Sequence, residues 1–226
     1  MTDDNIIHFK QKPEQKKISP PPMLNIPPAT KILAGLFMFI HLMITGLSLT
    51  FIPDAENYAI LFSGLVPASW TGAAPFFIWT PLTLFLFSFV HGGWLHLGIN
   101  ILMLLSIGSG MEKSIGIKKY LLIYAGGTFF AALSHIAFSP FSTMPIVGAS
   151  GGVSALFGAM LYMMRADTSN SQGKDRFLPI VLIWVGISAI GGFLGAPNGS
   201  PVAWIAHIGG FLSGIGIMMI LLKRHN

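Results

Sequence analysis

Charge is what this sequence has least of: only 9% of its 226 residues are Asp, Glu, Lys or Arg, where a soluble domain carries about 25%. With 53% hydrophobic residues, the eight acidic and thirteen basic side chains cannot cover a water-facing surface. That excludes most soluble folds and makes lipid the natural surroundings. The net charge of +5 is no sign of a nucleic-acid partner, because such domains cluster Lys and Arg on one solvated face, and here long apolar tracts separate them. Cysteine is absent, so there is no disulfide framework, no thiolate metal site and no cysteine nucleophile. Carboxylates are missing from the bodies of the apolar runs: Asp3, Asp4, Glu14, Asp54, Glu56, Glu112, Asp167 and Asp175 all lie outside them. The spacing H-E-x-x-H does not occur either, which argues against a catalytic metal. No cofactor is called for.

The basic residues that are present fall in four groups: Lys10 to Lys31, Lys113 to Lys119, Arg165 to Arg176, and Lys223 with Arg224. The tracts 120–164 and 177–222 each have room for two spans of about 20 residues. The tract 32–112 opens and closes with an apolar run and holds Asp54, Glu56 and several prolines between. Two spans per tract put all four basic groups on one side of the membrane, as the positive-inside rule requires; a third span would put half of them outside. The pattern predicts an all-α membrane protein of six helices, near 32–52, 82–107, 119–138, 148–164, 177–194 and 203–222, multi-pass, with both termini cytoplasmic. The first outer loop, 53–81, carries Trp70, Phe76, Phe77 and Trp79 and no Lys or Arg, a composition suited to partial embedding in the headgroup interface. Residues 1–30, polar and Pro-rich, are expected to form a disordered cytoplasmic arm, and 31–226 the helical domain. The 32–52 run has no small-residue cleavage site and lies far from the first residue, so a retained span is expected rather than a removed signal peptide.

Polar groups inside apolar runs are the candidates for function. Gly148-Ala149-Ser150-Gly151-Gly152 opens the fourth predicted helix, where glycines permit a tight turn and the first N–H groups of the helix are free to hold an anion. Close helix packing is the plainer use of such small residues. Ala206-His207-Ile208-Gly209-Gly210, with Gly214 four residues on, lies on the sixth. Gly210 and Gly214 share a face and would let this helix approach another lined with small residues, such as the one carrying Ser150. A Ser hydroxyl and an imidazole brought together in this way make a nucleophile and its base. On the second helix His96 and Asn100 are four apart and share a face, two donors able to converge on one oxygen or to bond helices together. His91 lies off that face and is expected to order a loop. His41 and His135 are lone histidines read as structural, and Glu112 as capping a helix end or fixing a loop. With no carboxylate to orient His207, any Ser–His chemistry has to be a dyad.

Together these residues resemble the rhomboid intramembrane serine proteases. The resemblance rests on Gly148-x-Ser150-Gly151, on Ala206-His207-x-x-Gly210-x-x-x-Gly214 and on His91-x-x-x-x-His96-x-x-x-Asn100, and covers about residues 32–222. It implies a six-helix bundle in which Ser150 is the nucleophile, His207 the general base, and His96 and Asn100 with the Ser150 N–H the oxyanion hole, with Gly148, Gly151, Gly210, Gly214 and His91 in support. It further implies transmembrane protein substrates cleaved within the bilayer, membrane lipid as surroundings, and a location in the cell membrane. Two departures stand out: Ser154 occupies the position where some members have a Tyr stacked on the catalytic His, and the first outer loop has no Arg. The rivals are a catalytically silent relative that binds membrane segments, and a small transporter, for which neither a repeat nor an ion-coupling carboxylate is present. Oligomeric state and natural substrate are not encoded in any of these motifs.

Overall fold

Pro28 opens the first helix at a position where its missing N–H costs nothing, and the groups left over at that helix start are met from elsewhere in the bundle. In the computed structural model, which describes residues 25–166, 171–194 and 203–223, α1 spans Pro28–Thr50. The carboxylate of Glu112 accepts the Ala29 N–H at 2.9 Å, the Thr30 N–H at 2.7 Å and the Thr30 hydroxyl at 2.9 Å. Glu112 therefore caps a helix about eighty residues away from it in sequence, and its charge, buried though it is, is held by three donors. The helix starts slightly before the boundary at residue 31; residues 1–24 of the expected arm lie outside the described residues.

After Pro53 the chain forms α2 (Ala55–Ser63), tight turns at Pro67–Trp70 and Thr80–Leu82, and one turn of helix, α3 (Thr83–Leu86). The second apolar run is thus not one helix over 82–107: residues 87–93 are non-helical, Gly93 has φ +124°, and α4 runs over Trp94–Ile115. Its middle, Leu104–Gly108, is wound as a π-helix, a widening often found near functional sites. Gly116, with φ +78°, turns the chain directly into α5 (Ile117–Phe138). Then come α6 (Ser150–Ala166), α7 (Ser171–Leu194), which contains Pro179, and α8 (Trp204–Lys223).

The protein is all-helical among the described residues, and α6 is its hub. Residues Gly151 to Leu156, Gly158, Ala159 and Leu161 of α6 are buried, against Leu97 and Leu104 of α4, Tyr120, Ile123 and Tyr124 of α5, and Met218 of α8. Small residues set the spacing: a Cβ on Gly151 would come within 2.6 Å of Ala131 on α5, and one on Gly152 within 2.6 Å of the Tyr124 ring. The outer faces are the reverse of a soluble protein's, with Ile32, Phe39, Leu95, Leu102, Leu122, Leu182 and Ile220 exposed. Among the described residues four helices, α1, α4, α5 and α8, are long and apolar enough to cross a membrane; α6 has 17 residues, and α7 holds a shorter apolar stretch, Phe177–Ile190.

Candidate active site

The segment leading to Ser150 is fixed on several sides before the helix begins. Leu65 and Ile146 exchange both backbone hydrogen bonds at 3.0 Å, and the Gly148 N–H donates to the Phe87 carbonyl at 2.8 Å. The Ala149 N–H donates to His91 Nε2 at 3.5 Å, so His91, buried against Phe37, orders the approach to Ser150. Gly148 has φ +120°, a conformation only glycine adopts without strain, and the space its side chain would fill belongs to the His96 ring. One glycine thus makes the turn and gives the histidine its seat. Ser150 is then the first residue of α6, with backbone N–H groups at the helix start that have no intrahelical acceptor.

His207 arrives from α8 by close helix approach. A Cβ on Gly210 would fall on the Gly151 carbonyl, and one on Gly214 on the Ala155 carbonyl. The two contacts are four residues apart on each helix, so they hold α6 and α8 parallel and in fixed register. One turn before Gly210, His207 comes level with Ser150, and its Nε2 lies 2.8 Å from the Ser150 hydroxyl oxygen. Both side chains are half-buried. With Nε2 accepting, the hydroxyl proton points at the ring nitrogen that would take it.

His96 and Asn100 both stand on α4. His96 packs its ring on Gly148 and takes the Gly92 N–H on Nδ1 at 3.4 Å. Asn100 is buried, and its Nδ2 donates to the His96 carbonyl within α4 at 2.9 Å, so only its other N–H is left for a substrate oxygen. His41 is buried edge-on against Trp94, ring centroids 4.6 Å apart. Ser154, one turn below Ser150, is buried. His135, read from the sequence as structural, is half-buried on α5; a lone histidine in an apolar helix carries no signal that would have singled it out. Among the described residues no three His, Asp or Glu side chains come together as a metal site. A cavity of about 460 Å³ lies between α2, α3 and the loop 64–80, lined by Phe62, Val66, Phe77, Trp79 and Thr143 among others.

The family model described as the Rhomboid domain matches residues 78–224, a segment that contains every residue of the three motifs. RHOMBOID-like protein 5 of Arabidopsis thaliana is 31% identical over 139 residues, 60% of this chain and 42% of that protein. Rhomboid-related protein 2 of Mus musculus is 34% identical over 136 residues, 57% and 44%, and Rhomboid protease GluP of Bacillus subtilis is 31% identical over 125 residues, 55% and 23%. The aligned part therefore spans less than half of each of these relatives. With the Rhomboid domain matching well over half of its length, and with its helical membrane-type bundle, the chain belongs to the rhomboid family.

Proposed function

We propose that this protein is an intramembrane serine endopeptidase that cleaves transmembrane protein substrates by a Ser150–His207 dyad. The observation that carries the proposal is the 2.8 Å separation of Ser150 Oγ and His207 Nε2 at the start of a buried helix. Ser150 Oγ attacks the scissile carbonyl as its proton passes to His207 Nε2. The imidazolium then returns the proton to the departing amine, and water, deprotonated by the same nitrogen, releases the acyl group. Negative charge on the carbonyl oxygen is met by the Ser150 N–H at the α6 N-terminus, by the second amide proton of Asn100 and by His96. Gly148 seats His96, His91 holds the Ala149 N–H, and Gly151, Gly210 and Gly214 keep the dyad in register.

The chain crosses the cell membrane six times with both termini cytoplasmic: the charge-free tracts support this count, α6 and α7 supplying the two spans whose apolar stretches are shorter. Phe76, Phe77 and Ile78, all exposed on the outer loop, dip into the headgroup layer, which brings the loop to the level of the substrate's membrane end. Labelling in bilayers with a serine-reactive fluorophosphonate tests the proposal. Wild-type protein is expected to label and Ser150→Ala to stay blank; equal labelling of both refutes Ser150 as the nucleophile, and labelling of neither refutes the proposal and favours a silent membrane-segment binder.

A further inference from the structure

A dyad leaves one requirement unmet. When His207 Nε2 accepts from Ser150, the proton of the neutral ring sits on Nδ1 and needs an acceptor to hold the ring in that orientation. Neither α5, α6 nor α8 carries a carboxylate, and Ser154 takes the place of a stacking aromatic.

Helix contacts put His135 at this point. Phe138 meets Trp204 with ring centroids 5.5 Å apart, Ser134 and the Phe130 carbonyl press on Gly209, and Gly126 on Ile217. These contacts run in opposite senses along α5 and α8, so the two helices are antiparallel, and the register brings residue 135 level with His207. His135 also shares its face with Ala131, one turn below, which packs on Gly151. One turn further out, α6 has not yet begun, so the register places His135 beyond the start of α6 rather than against its helical body. Its Nδ1 is buried without a partner among the described residues, and buried polar atoms in native proteins are nearly always satisfied, by water if not by protein. No direct hydrogen bond joins the two rings among the described residues; the one His207 makes is to Ser150.

We propose that His135 is a positioning residue for His207, the two imidazoles being joined by one ordered water that takes the place a carboxylate holds in a triad. The inference rests on the Ser150–His207 reading. It is tested by the fluorophosphonate inactivation rate constant, a property of each competent molecule that does not depend on how much protein is folded, and by kcat and KM for a single-span substrate. His135→Leu is expected to lower the inactivation rate and kcat about tenfold, the worth of roughly one hydrogen bond, with KM unchanged. His135→Asn, whose amide oxygen can stand near the lost Nδ1, is expected to recover most of the rate. Wild-type rates in His135→Leu, or a His135→Asn protein as slow as His135→Leu, overturn the inference while leaving the dyad intact. Wild-type protein that does not react at all refutes the dyad, and this inference with it.

Discussion

Gly148→Ala is the most informative single methyl that can be added to this site. Two independent costs meet there. The backbone at φ +120° is strained for any residue with a Cβ, by about 1–3 kcal/mol. The new Cβ would also stand 2.6 Å from His96 Cε1 and Nε2, about 0.8 Å short of ordinary contact. Backbone hydrogen bonds hold the turn on one side, Gly148 to Phe87 and Val153 to Ala149, so the misfit is shared between the His96 ring and the Ser150 position. A displacement approaching 1 Å at a reacting group costs on the order of 10²-fold in rate, and we expect kcat to fall by about 10- to 100-fold in folded, probe-titrated enzyme. The control is Gly98→Ala on α4, where the added methyl meets open space and the rate should not change. A Gly148→Ala protein that cleaves at the wild-type rate would refute the argument that this turn seats both His96 and Ser150.

Three further perturbations probe separate parts of the account. Glu112→Gln removes the charge that three donors share and should destabilise the bundle by about 1–3 kcal/mol, read as a lower thermal midpoint with kcat of the active fraction unchanged; an unaltered midpoint would contradict the cap. His96→Ala and Asn100→Ala should each lower kcat by about 10- to 100-fold at constant KM if both groups meet the developing oxyanion, whereas a loss of stability alone would reduce them to helix-bridging residues. Because the chain has no cysteine of its own, Ala73→Cys should react with an impermeant thiol reagent from outside the cell and Ser114→Cys should not; the reverse pattern would overturn the six-span topology.

Parts of this molecule were legible in its residues because they are local. The Gly-rich entry to Ser150 and the spacing of Gly210 and Gly214 announce a turn and a close helix contact, and both stand in the structure. The break at residues 87–93 was harder, since Gly92 and Gly93 sit inside a run apolar enough to suggest one uninterrupted helix, and hydropathy cannot distinguish a span from a short helix followed by a loop. The π-helical turn at Leu104–Gly108 has no sequence mark. Glu112 reads in the sequence as capping a helix end or fixing a loop, but its partners on α1 come from the far end of the fold, a relation that periodicity cannot contain. One amide proton of Asn100 serves its own helix, because a side chain four residues from a carbonyl in an apolar helix finds that acceptor first. His135 depends on the register of α5 against α8, which glycine contacts fix only once the helices are packed.

The central claim, that Ser150 and His207 act as one chemical unit, is tested most directly by cleavage of a single-span substrate in lipid bilayers by Ser150→Ala, His207→Ala and the double variant. Residues that act as a unit are not additive. Each single change is therefore expected to abolish cleavage to the level of the double, with the proteins remaining folded. Appreciable cleavage by either single variant, or a double variant markedly slower than both, would contradict the account.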